Sequence, residues 1–329
     1  MTMEEVGVRE QDGVVERILN SVRRLKWSLY LILIIKALLP TIYSTVRISL
    51  LGDLPSDSGV NIASQIAWLS LFFEVLQETL ILPLYFTIGQ TLTDPVITAN
   101  KIKTGVMVIV VLFSLATIIL YVSMPYLVTM MAQDSDLFDQ TVSYIRKELV
   151  GQIFSSVNSF LLIPVQLMLM NRTIACCLLL KMILTIVLDV TFLSELHFSL
   201  QLGVDGVAYT NIITEAANCL LMASLLFREL RPHCRTEMRF HWMVSWLHKG
   251  LYSGLDSLIR NLVYMFVILR SMNLLSSAGL YFTANSFIWS YFLLPFLPLS
   301  EVLRVDIASA GKSGLLTGAQ GSMILFGCV

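Results

Sequence analysis

Charged side chains are scarce in this sequence: Asp, Glu, Lys and Arg together make 14% of it. A soluble domain is about a quarter charged, so most of this chain lacks the groups needed to face water. Histidine is scarcer still. His197, His233, His241 and His248 all fall in connections between apolar runs. The runs therefore hold no HExxH, GxSxG, paired-aspartate protease motif or acyltransferase histidine–acid pair, which argues against a membrane-embedded enzyme. Cys176, Cys177, Cys219, Cys234 and Cys328 show neither CxxC nor zinc spacing. Residues 1–26 are polar, with Arg9, Arg17, Arg23, Arg24 and Lys26, unlike a cleavable signal peptide. Gly311, Lys312 and Ser313 resemble the end of a phosphate-binding loop, but Asp306 stands where its first glycine is needed. No cofactor, metal, nucleic acid or obligate protein partner is expected.

What is present is apolar. Hydrophobic residues make 56% of the chain and its mean hydropathy is +0.76. Runs long enough to cross a bilayer recur at 27–50, 62–89, 105–128, 142–169, 174–193, 207–227, 251–271 and 280–302. The fold class is an all-α polytopic membrane protein in the lipid bilayer. Most of the 22 basic residues fall on one side if the N-terminus is cytoplasmic, while 51–61, 129–140 and 194–206 hold acids and no lysine or arginine. That bias predicts a cytoplasmic N-terminus. The expected organisation is a tail (1–26), a lobe of six helices (27–227), a basic linker (228–250), and a partial second lobe of two helices and the start of a third (251–329). Trp242 and Trp246 share a helical face, which predicts a short helix lying in the interface. The short apolar end, 322–329, reads as an interrupted ninth span, so a truncated chain is expected.

Charge inside the runs carries the functional signal. Glu74 and Glu78 share one helical face, with Gln77 between them. An acid at the bilayer centre costs roughly 2.5–3.5 kcal/mol on insertion scales, so such residues face partners or water rather than lipid. Counting about 1.5 Å per residue puts Lys36, Glu74, Glu215 and Arg260 near mid-membrane. Glu78, Asp256 and Glu301 fall nearer the inner side, and Asp189 nearer the outer. A set of this size predicts a polar cavity. The alternative for single residues is structural pairing: Lys36 with Glu74 or Glu78, Asp256 with Arg260, Glu301 with Arg304. Gln65, Gln77 and Asn211, with Gln152, Asn158, Gln166 and Asn218, can line the same cavity or join helices.

Several stretches carry a resemblance. Residues 51–65 (LGDLPSDSGVNIASQ) and 77–89 (QETLILPLYFTIG) resemble the first two helices of the MATE (multidrug and toxic compound extrusion) transporters. Residues 202–210 (LGVDGVAYT) resemble the start of that family's sixth helix, and 253–261 (SGLDSLIRN) and 282–290 (FTANSFIWS) its seventh and eighth. The resemblance implies two six-helix lobes rocking about a central cavity, with export coupled to Na⁺ or H⁺. It places the seventh-helix acid at Asp256. The branch that uses an acid on helix one is not matched, because 27–50 has none and carries Lys36 instead. Glu78, Asp189 and Glu215 are the substitutes.

The resulting expectation is a plasma-membrane antiporter exporting amphipathic or cationic small molecules by alternating access. Glu78, Asp189, Glu215 and Asp256 are its coupling candidates. Lys36, Gln65, Glu74, Gln77, Asn211 and Arg260 are its cavity-lining candidates. The alternatives are a lipid or polysaccharide flippase of the same superfamily, which needs a strongly basic cavity, and an inactive remnant.

Overall fold

The computed structural model describes residues 27–52, 58–194, 196–197, 199–231, 237–275 and 277–309. The tail, the glycine-rich segment after 310, Cys234 and Cys328 lie outside the described residues. Among the described residues every regular element is helical. The helices are α1 (Trp27–Gly52), α2 (Ser58–Ser64), α3 (Ile66–Leu80), α4 (Leu84–Gly89), α5 (Pro95–Met130), α6 (Phe138–Leu167), α7 (Asn171–Leu193) and α8 (Val204–Leu230). After the linker come α9 (Met243–Val263), α10 (Arg270–Leu274), α11 (Ala278–Phe287) and α12 (Phe296–Ser309). Helix α6 is the most deeply buried of the long helices and packs against α5 and α8. The core therefore runs along α6.

Six helical stretches among the described residues are long and apolar enough to cross a membrane. Eight were expected. The other two, covering 251–271 and 280–302, are helical but broken by π-turns at Tyr264–Leu269 and Ile288–Phe292. Such turns insert a residue into the ladder and recur at functional positions. The expected interfacial helix around Trp242 and Trp246 is also different. Trp242 caps α9 and Trp246 lies in its first turn, the helix runs on unbroken to Val263, and both indoles point inward at 7% and 2% exposure.

Two local sequence signals shape the region around the cavity. Asp94 caps α5 by accepting from the Val96 and Ile97 N–H groups, and Pro95 fills the first helical position. Pro83 breaks the second span. It offers no N–H to the Thr79 carbonyl, and the Leu84 N–H turns to Ile81, 3.0 Å away. The Leu80 carbonyl, deprived of its helical donor, accepts instead from the Trp246 indole at 2.8 Å. At the same break α9 comes unusually close. A Cβ on Gly250 would stand 1.9 Å from the Thr79 carbonyl oxygen, and one on Gly254 would stand 2.0 Å from Thr79 Oγ1. Gly250 and Gly254 form a GxxxG pair, the spacing that lets membrane helices approach backbone to backbone.

Candidate solute cavity

A cavity of about 420 Å³ lies between α1, α3, α6, α7, α8 and α12. Four carboxylates in its wall, Glu74, Glu78, Glu215 and Glu301, face three bases, Lys36, Lys181 and Arg304. Lys36 Nζ lies 2.9 Å from Glu301, whose other contact is the Gln166 amide at 2.9 Å. Gln166 in turn accepts from the Tyr85 hydroxyl. Lys181 Nζ lies 2.5 Å from Glu215, which also accepts from the Asn158 amide at 2.7 Å. At one edge Arg260, from α9, reaches Glu78 at 2.9 Å and Glu74 at 3.3 Å. Among the described residues, two buried acceptors on wall residues, Asn158 Oδ1 and Asn218 Oδ1, have no hydrogen-bond partner.

A second charged cluster sits deeper in the bundle, apart from the cavity. Arg47 Nε and Nη2 grip the two Asp189 oxygens at 2.9 and 3.1 Å, the bidentate geometry that suits guanidinium to carboxylate. Its Nη1 reaches Asn211 Oδ1 at 3.0 Å, and the Asn211 amide donates to Glu148 at 2.7 Å. Tyr144 donates to the same Glu148 oxygen at 2.9 Å. Asp189 and Glu148 are each 2% exposed.

The fold has clear counterparts. No protein-family model matches the sequence, and no curated protein matches it significantly. Solved structures do. The outward-facing conformation of a multidrug resistance MATE family transporter superposes with a TM-score of 0.73 at 18% identity, covering 92% of this chain and 68% of that one. The chain has the MATE transporter fold. The eukaryotic MATE transporter AtDTX14 superposes with a TM-score of 0.70 at 12% identity, over 95% of this chain and 71% of that one. A MATE protein in complex with Br-NRF gives 0.63 at 18% identity, over 95% and 73%. This chain thus spans about two thirds to three quarters of those MATE chains.

On the MATE-type fold, the candidates named from sequence divide. Lys36, Glu74, Gln77, Glu78 and Glu215 line the cavity. Arg260 stands at its edge, bound to Glu74 and Glu78. Asp256 is 82% exposed at its side chain, with its carboxylate 3.9 Å from Arg260. Asp189 and Asn211 belong to the Arg47 cluster instead. Gln65 is fully buried elsewhere, donating to Asn273 at 3.0 Å and accepting from the Trp68 indole at 3.0 Å. It joins the second and seventh spans rather than lining the cavity.

The pairing of Lys36 is also corrected: its partner is Glu301, not Glu74 or Glu78, because the latter two turn to Arg260. Sequence reasoning passed over Glu148 and Arg47. The available signal was the Tyr144/Glu148 spacing of one helical turn.

Proposed function

We propose that the chain is a transporter rather than an enzyme, a cation-coupled antiporter that exports amphipathic or cationic small molecules from the plasma membrane by alternating access, with its N-terminus in the cytoplasm. The observation that carries this reading is the wall of the 420 Å³ cavity. Its four carboxylates are each ion-paired, Glu301 to Lys36, Glu215 to Lys181, and Glu74 and Glu78 to Arg260. A solute bearing an ammonium group can take the place of one of those bases beside a carboxylate. Apolar residues on the same wall, Ile81, Leu82, Leu162, Ile163 and Met222, suit the non-polar body of an amphipathic molecule.

The coupling ion, Na⁺ or H⁺, competes with the solute for the same cavity carboxylates. Glu78 is the best placed. It lines the cavity and is bound to Arg260 across the α3–α9 contact, so protonation or cation binding there loosens the junction between the two lobes. A flippase for a pyrophosphate-linked lipid calls for several unmatched bases, whereas Lys36 and Lys181 are each held by a carboxylate, leaving Arg304 as the one base of the wall with no ion pair among the described residues.

The test is transport by the purified protein in liposomes. A fluorescent organic cation should move only when a Na⁺ or H⁺ gradient is imposed, and Glu78→Gln should abolish that movement while leaving the protein folded. Cation movement indifferent to both gradients would overturn the coupled mechanism.

A further inference from the structure

A second cavity, of about 620 Å³, lies at the foot of α5, where the segment before α9 folds back against it. Its position is set by a two-point clasp. The Asn100 side chain donates to the Arg239 carbonyl and accepts from the Arg239 N–H, both at 3.1 Å. The clasp uses only the main chain of Arg239, so the guanidinium is left to face the cavity. Among the described residues it meets no carboxylate within ion-pair distance. Lys101 lines the same wall and spends one N–H on the Thr87 carbonyl at 2.5 Å, leaving two donors. His241 is the third basic group, and Glu237 is the acid of the wall.

The cavity stands at the foot of a helical line along α5 that is buried at Lys101 and Thr104 and becomes an exposed stripe from Val111 onward. At 3.6 residues per turn, Ile97, Lys101, Thr104, Val111, Leu115 and Val122 fall within about 40° of one line along α5. Val111, Leu115 and Val122 are 57%, 54% and 71% exposed, as expected of a face turned to acyl chains. At Thr104 the Trp242 indole crosses the line, donating to Thr104 Oγ1 at 3.1 Å. Helix α5, at 36 residues, is about 54 Å long, well beyond a hydrocarbon core of about 30 Å. At least one end of α5 therefore lies beyond the acyl region, and Lys101 and Lys103 mark the first turns as that end.

We propose that this cavity binds the phosphate headgroup of an anionic phospholipid, held by Lys101, Arg239 and His241, with the acyl chains along Val111, Leu115 and Val122. Basic groups at a membrane boundary attract such lipids. Here the clasp adds fixed geometry to that attraction, distinct from the solute cavity.

Lipid retention by the purified protein in neutral detergent tests the assignment, read by native mass spectrometry and by the unfolding midpoint. Dioleoylphosphatidylglycerol, dioleoylphosphatidylcholine and inorganic phosphate are added separately. Phosphatidylglycerol should be retained and should raise the midpoint, whereas phosphatidylcholine should do neither. Arg239→Gln keeps the main-chain clasp and should weaken retention about fivefold, and Glu237→Gln should strengthen it. Arg270→Gln, remote from the cavity, should leave it unchanged. Equal retention of the two lipids, or no response to both Arg239→Gln and Glu237→Gln, would overturn the proposal. So would inorganic phosphate alone giving the whole midpoint shift, since the ligand would then be a soluble anion.

Discussion

Lys36 Nζ lies 2.9 Å from both carboxylate oxygens of Glu301, so one ion pair ties α1 to α12 across the solute cavity. Both side chains are a little over a quarter exposed, at 28% and 27%, which moderates the pair's strength. A fully buried pair that loses one partner costs about 3–5 kcal/mol. Lys36→Met or Glu301→Gln alone should therefore cost less, about 1–2 kcal/mol. The double variant should cost less than the sum of the two, with the difference measured by denaturant unfolding in detergent. Strict additivity would show that the pair is not formed in solution.

Arg47 and Asp189 should behave more severely. Arg47→Met strands the 2%-exposed Asp189 carboxylate, with Glu148 close by at the same exposure. The expected loss is about 3–5 kcal/mol, enough to abolish folded protein in a marginal background. Adding Asp189→Asn should restore much of it, since one buried charge then disappears. Size-exclusion profiles of the wild type and the two variants give the readout.

The close approach of α9 to the Pro83 break makes two glycines unequal. Gly254→Ala meets the Thr79 side chain, while Gly250→Ala meets the Thr79 carbonyl. Each should cost about 1–3 kcal/mol through overpacking. Thr79→Ala should partly rescue Gly254→Ala and should do nothing for Gly250→Ala. Unfolding midpoints of the four variants decide it.

Glu78 and Asp256 were equivalent from sequence and are not equivalent in space. Glu78→Gln should cut coupled transport in liposomes at least tenfold, because it lines the cavity and holds Arg260. Asp256→Asn, whose carboxylate is 82% exposed and 3.9 Å from Arg260, should leave within threefold of wild-type transport. Equal losses in both would remove Glu78 from its special place.

Much of this was legible because hydropathy and helical spacing are one-dimensional signals. The long apolar runs gave the helices, and the spacing of Glu74 and Glu78 put both on one cavity wall. Partner choice was not legible. Lys36 and Glu301 are 265 positions apart, and nothing local to either says that they meet. Trp242 and Trp246 carry the aromatic spacing of an interface anchor, yet their indoles are consumed by a threonine hydroxyl and an orphaned carbonyl. Glu148 was hidden by its neighbours Arg146 and Lys147, which make the stretch look like a charged helix end.

The orphaned Leu80 carbonyl has a mechanical consequence. Its donor, Trp246, sits in the first turn of α9, one turn beyond Trp242, which is fastened to α5, so the start of α9 is tied both to α5 and to the break in the second span. Glu78 lies two residues before that tie. A pull on the start of α9 therefore reaches the main chain beside the Glu78 carboxylate.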